Sequence, residues 1–178
     1  ACLIARRQIL QAGDDTSGAA AVALTLLSID VYARPSVLPS ALGSDLLPPV
    51  ASSGLARLWS ITIFPSSRSA VSKTRTQDDT RQIGGSNPRR RWLSDVGAAL
   101  KARTPASQRI FPISLAQFEA SILSASAAEN MGRIVPHQLR HTGPSMDALL
   151  AEPDASMEVV SLNIQRRGGW AALSSVLR

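Results

Sequence analysis

The run Ala19–Leu27 is apolar apart from Thr25 and is bracketed by acid, with Asp14 and Asp15 before it and Asp30 after it. A helix that is apolar on every face must be buried on every face, so this segment belongs at the centre of a fold. It is far shorter than the ~20 residues of a membrane span. Its flanks also lack the basic residues and cleavage site of a secretory leader. Asp14, Asp15 and Thr16 supply N-cap chemistry for a helix predicted over 17–33. Pro35 is expected to end it, because the residue before a proline is pushed out of the helical region. Arg34 is thereby predicted to stand at a helix terminus, where a side chain can face a cleft.

Beyond Pro35 the punctuation changes. Pro39, Gly43, Pro48, Pro49 and Gly54 mark an irregular connection with at most a short helix. Between Arg57 and Phe64 the period falls to two: Trp59, Ile61 and Ile63 alternate with Ser60 and Thr62, the pattern of a half-buried strand. Val71–Thr76 and Thr80–Ile83 are weaker strand signals on either side of a turn at Gln77, Asp78 and Asp79. After Asn87 the chain reads as helices. Pro88 suits a first helical turn, and Trp92, Val96, Ala99 and Leu100 form one face. Ser114 and Gln117 make a capping box, with Ile113 and Phe118 at hydrophobic-staple spacing, for a helix expected to reach Asn130 and end at Gly132. More helices are predicted after Pro136, around Met157–Arg166 and from Trp170 onward. The expected fold is α+β and mostly helical, one domain with a small antiparallel three-stranded sheet near residues 57–84 packed on a helical core.

The 178 residues carry a net charge of +6, and of the 19 basic side chains all but Lys73 and Lys101 are arginine. Guanidinium stays charged and grips phosphate through paired hydrogen bonds, so an Arg-rich domain points to polyanions. GC-rich codons favour Arg over Lys as well, and only placement separates the two explanations. Placement is uneven: between Arg68 and Arg91 seven basic residues face only Asp78 and Asp79, whereas between Arg133 and Arg178 five face four. A single cysteine, Cys2, precludes an internal disulfide, and with two histidines it does not complete a zinc site. No metal or other cofactor is expected.

The densest chemistry lies in Pro136-His137-Gln138-Leu139-Arg140-His141-Thr142-Gly143. On a helix His137 shares a face with Arg140 and His141. Zinc-protease helices also place two histidines four apart, but Gln138 stands where their glutamate base would be. A plain helix start with satisfied histidines is the simpler alternative. The pattern His-x-x-Arg followed by His resembles the second signature box of the tyrosine recombinases, or phage-type integrases. Other stretches resemble that family in the same order. Arg34 in Tyr32-Ala33-Arg34-Pro35-Ser36 looks like the first-box arginine, with Val37 where members often have Glu. Lys73, between Val71 and Thr76, looks like the lysine of the family's small sheet, and Gly168-Gly169-Trp170 looks like the third box. The 33-residue step from His137 to Trp170 is somewhat long for the family, with Glu152, Pro153 and Asp154 as the insertion. The family's nucleophilic tyrosine usually lies nine residues beyond the third box, which would be position 179, while the sequence ends at Arg178 and its one tyrosine is Tyr32. The resemblance thus implies a recombinase-like catalytic domain over 1–178, stopping before its nucleophile and without the family's N-terminal DNA-clamping domain.

The resemblance further implies DNA breakage and rejoining without a cofactor, through a 3′-phosphotyrosine link and a free 5′-hydroxyl. Arg34 and Arg140 would clamp the phosphate, and Lys73 would protonate the leaving oxygen. His137 would assist proton transfer at the tyrosine, Trp170 would pack on the site, and His141 would support the helix. Arg75, Arg81 and the Arg89-Arg90-Arg91 run would hold the backbone of double-stranded DNA. A full-length form would act as a homo-tetramer on chromosomal DNA inside the cell, with no membrane partner. Two readings stay open: a recombinase domain, active once a tyrosine is supplied, or a decayed or repurposed member that binds DNA without cutting it. A helical protein with no nucleic-acid role would instead leave Arg34, Lys73, His137, Arg140 and Trp170 scattered in space.

Overall fold

Apolar side chains on every face determine where α2 (Thr16–Asp30) lies. Ala20, Ala21 and Ala23 are buried along it, and Leu24 and Leu27 are completely so. The computed structural model describes residues 2–12, 16–50, 58–68, 77–85 and 88–170. In it α2 is packed between α1 (Cys2–Ala12) and α5 (Pro136–Leu149), while α4 (Leu115–Ala128) lies against α1. The sequence reading did not anticipate α1, whose docking is partly polar. Gln8 is only 2% exposed, accepts from Thr25 Oγ1 at 2.9 Å and donates to Ser121 Oγ at 2.9 Å.

The first helix ends earlier than predicted. It stops at Asp30, and Tyr32 turns the chain with a left-handed φ of 51°, before Pro35 can act. Arg34 therefore stands in the loop after α2, where its carbonyl accepts from Val37 N at 2.9 Å. The proposed cap residues Asp14 and Asp15 lie outside the described residues.

Among the described residues the small antiparallel sheet has three strands in the order β1 (Leu46–Leu47), β2 (Ser60–Ile63), β3 (Asp79–Gln82). Leu46 faces Ile61, and Ile61 faces Arg81. Alternation along β2 is as read, with Ile61 and Ile63 buried and Ser60 and Thr62 half-exposed. One strand lies where none is expected. β1 comes from the connection read as irregular, because two residues are too few to show a period, and Val71–Thr76 lie outside the described residues. Asp79 belongs to β3 and not to the turn, where Asp78 takes a φ of 51°.

A 3₁₀ turn at Pro88–Arg90 leads into α3 (Leu93–Arg103). Val96 and Leu100 pack on the core as expected, but Trp92 is 51% exposed and Ala99 is exposed too. At α4 the capping box is present: Gln117 N donates to Ser114 Oγ at 3.2 Å and Ser114 N to Gln117 Oε1 at 2.8 Å. Ile113 and Phe118 are both buried beside it. Replacing Ser114 with alanine is expected to cost about 1 kcal/mol, measured by urea unfolding. The helix ends at Ala128, with Asn130 in the left-handed region, so Gly132 is not its terminator. α6 (Met157–Gly168) opens with Ser156 Oγ accepting from Val159 N at 3.3 Å and closes on Gly169, φ 58°. Residues after Trp170 lie outside those described. Among the described residues no helix is long and apolar enough to cross a membrane.

Helices α2 and α5 meet at Gly143, where a Cβ would fall 2.1 Å from the Ile29 carbonyl oxygen and 2.4 Å from the Tyr32 ring. Gly143→Ala is therefore expected to force the pair apart and destabilise by about 3 kcal/mol, the upper end of overpacking. An unchanged urea midpoint would contradict this close approach.

Candidate anion site

The first turn of α5 orients the His-x-x-Arg box. Gln138 Oε1 accepts from Val135 N at 2.8 Å, so the residue standing where a zinc protease has its base caps the helix instead. His137 and His141 are exposed on one face, with Nε2 atoms 3.3 Å apart. The His141 imidazole is shifted toward its neutral form, first by partial burial and then by His137 and Arg140. Among the described residues no cluster of three or more His, Cys, Asp or Glu could hold a metal.

Arg140 is buried where these two histidines are exposed. It is 7% exposed, its Nε is buried without a hydrogen-bond partner, and among the described residues no carboxylate pairs with it. Its guanidinium lies over the Trp170 ring, 4.9 Å from the centroid. Burial pushes its pKa down to about 10, and the nearby positive charges of Arg34 and Arg81 push in the same direction. Arg81, on β3, is held by Asp79 Oδ2 at 3.0 Å from Nε and 2.6 Å from Nη2, and it donates to the Val31 carbonyl at 2.7 Å. Arg34 is half-buried and lines an open cleft of about 560 Å³ with Arg68 and Arg109 over a floor of Ile61, Ile63 and Phe64. Among the described residues these three neighbouring arginines, Arg34, Arg81 and Arg140, have one acid between them, Asp79.

The structure thus brings Arg140 and Trp170 together, with the charge of Arg34 near enough to lower the Arg140 pKa. His137 lies on the solvent side of the same helix as Arg140. Lys73 and Arg75 lie outside the described residues. Arg81, expected to grip the DNA backbone, is held on β3 by Asp79 and the Val31 carbonyl. The Arg89-Arg90-Arg91 run does not act as one surface. Successive residues of a 3₁₀ turn point about 120° apart, and here Arg89 and Arg91 are exposed while Arg90 is turned inward. Arg90 bonds Asp147 at 2.6 Å and the Gly143 carbonyl at 3.3 Å, which corrects its assignment to DNA contact.

Tyr32 lies directly behind the site. Its ring is fully buried, its hydroxyl donates to Asp147 Oδ2, and burial and that bond raise its pKa well above the ordinary phenol value. A second open cleft of about 810 Å³ runs between β3 and α6, lined by Arg81, Arg89, Arg166 and Arg167. Arg166, exposed at the last turn of α6, escaped the sequence reading, although an Arg pair before Gly168-Gly169 was visible there. No protein family, curated protein or solved structure matches the chain.

Proposed function

We propose that this chain is a recombinase-like domain that binds the phosphate backbone of double-stranded DNA, with Arg34, Arg81 and Arg140 as its central clamp. The buried Nε of Arg140, without a partner among the described residues, carries the reading. A buried, unpartnered charge costs several kcal/mol, and two further arginines beside it increase the penalty. The cation–π contact with Trp170 offsets only about 1–2 kcal/mol. Among the described residues no counter-charge is supplied, and a phosphodiester would match the guanidinium through bidentate, charge-assisted hydrogen bonds.

The same arrangement suits phosphoryl transfer. Preorganised cations stabilise the charge that develops on nonbridging oxygens, each strong donor contributing on the order of 3–4 kcal/mol. In the reaction a tyrosine oxygen bonds to phosphorus, the bond to the 5′-oxygen breaks, and Lys73 protonates that oxygen. His137 takes the tyrosine's proton, and Trp170 shields one face of Arg140. Tyr32 does not serve as the nucleophile, because it is buried and bound to Asp147. Strand cleavage therefore needs a tyrosine beyond residue 178.

The test is anisotropy of a labelled duplex of about 30 base pairs titrated over a range of salt. Each neutralised phosphate contributes about −0.9 to the slope of log affinity against log salt, so the two net charges left to these three arginines predict a slope of about −1.8 or steeper. A salt-insensitive complex, or none, overturns the proposal.

A further inference from the structure

We infer that Asp30 and Arg167 are positioning residues, which seat Trp170 beneath Arg140 and so preorganise the anion site. The inference rests on the DNA-binding reading above and assigns a role to the ionic cluster behind that site.

Asp30 is fully buried at the end of α2. Its carboxylate accepts from Gly84 N at 2.6 Å and Arg167 Nη2 at 2.6 Å, with Arg90 Nη1 at 3.8 Å. Its backbone carbonyl accepts from Arg167 Nε at 3.0 Å. Arg167 is thus gripped at two points, one of them main chain, and the end of α6 is tied to the end of α2. Trp170 follows three residues later. Its N–H donates to the Gln165 carbonyl at 3.2 Å, and Gln165 Nε2 donates to its carbonyl at 3.0 Å. The tryptophan backbone is therefore fixed to α6, and through Arg167 to α2.

The rings complete the linkage. Tyr32 lies between Arg167, 5.2 Å from its centroid, and Trp170, with centroids 5.9 Å apart; the far side of the stack is Arg140 over Trp170. The Tyr32 hydroxyl is anchored on Asp147, which also pairs with Arg90. In this cluster Asp30 and Asp147 balance Arg90 and Arg167, so it holds position without a surplus of charge. One of the arginines that look like a DNA footprint in the sequence, Arg90, is thereby spent on geometry, while the neighbouring Arg34, Arg81 and Arg140 keep a positive excess.

The experiment is a double-mutant cycle in the full chain, read by the salt-dependent binding of duplex DNA, with thermal unfolding recorded for every variant. Arg167→Lys keeps the charge and loses the two-point grip. It is expected to weaken binding about tenfold and to reduce the salt slope by about 0.9. In an Arg140→Gln background it should have no further effect, because the residue it positions is gone. Tyr32→Phe, which keeps the ring and drops the bond to Asp147, is the gentler second variant. It should show a smaller loss, about threefold, with the same dependence on Arg140. Equal losses with and without Arg140, or no loss in either variant, overturn the positioning role. If Arg140→Gln itself leaves binding unchanged, the DNA-binding reading fails instead, and the two failures are distinguishable.

Discussion

Arg140→Met is expected to make the ligand-free protein more stable while weakening its hold on DNA. Methionine fills a similar volume and retains contact with Trp170, but it removes a buried guanidinium whose Nε has no partner. An unsatisfied buried polar group costs about 1–3 kcal/mol, more when charged. Against this stands the loss of a cation–π contact of about 1–2 kcal/mol. The balance is a gain of about 1 kcal/mol, or about 2–4 °C in a domain of this size. Binding should fall about 10–100-fold, because hydrogen bonds to charged groups contribute about 1.5–3 kcal/mol. Opposite signs for stability and binding are the mark of a functional group kept at a structural cost. Differential scanning calorimetry and DNA titration measure the two halves. If the variant lost about 2 kcal/mol of stability, Arg140 would be a structural residue, and the reading built on it would lose its support.

Alkaline pH offers an independent check. Burial and the nearby positive charges lower the Arg140 pKa to about 10 in the folded chain, below the ordinary arginine value of the unfolded one. Between those limits the unfolded chain binds more protons, so this group makes folding more favourable as pH rises. Tyr32 acts in the opposite sense, since its raised folded pKa makes stability fall as pH climbs above the ordinary phenol value. The difference between wild type and Arg140→Met isolates the arginine: the advantage of the variant should shrink from pH 10 upward.

What was legible in the sequence was local. An apolar run with acid at both ends described α2 well enough to place it at the centre, and Ser114 with Gln117 marked the start of α4 to the residue. Period two along Trp59–Ile63 gave β2, with its buried isoleucines. The misses share a cause in partners far along the chain. Nothing near Gln8 announces that Thr25 and Ser121 will satisfy it, so α1 was not seen. Leu46 and Leu47 become a strand only because β2 lies beside them. At the site, the spacing of His137 and Arg140 puts them on one helix whatever the fold does, and that part was readable. The division of the arginines was not. Arg90 and Arg91 are neighbours, yet one bonds Asp147 and the other faces solvent, and only tertiary structure separates them. Charge density in a sequence counts guanidiniums, and the fold decides which have already been neutralised.

Asp30→Leu is expected to destabilise by about 3–5 kcal/mol, the usual penalty for breaking a buried ion pair by removing one partner. The reason is what remains: Arg167 loses its carboxylate contact at 2.6 Å, and Gly84 N–H loses its acceptor. Asp30 itself is a poor stabiliser. Burial raises its pKa in spite of Arg167, the Gly84 N–H and Arg90, all of which pull it down, so desolvation outweighs the partners. An acid with a raised folded pKa costs stability while it is ionised, and that cost is relieved as pH falls through the folded value. Asp78 behaves conversely: hydrogen bonds from Ser66 lower its pKa, so its contribution is present above the unfolded value and lost on acidification. If desolvation dominates at Asp30, removing both charges should be milder than removing one. Asp30→Leu with Arg167→Met is therefore expected to recover most of the stability lost by Asp30→Leu, with a coupling of about 2 kcal/mol or more by urea unfolding. Additive losses would show that the two do not act as a pair. The double variant also separates stability from positioning. Its buried charges are removed together but the two-point grip of Arg167 on the end of α2 is gone, so its DNA salt slope should fall toward that of Arg140→Gln although the protein is folded.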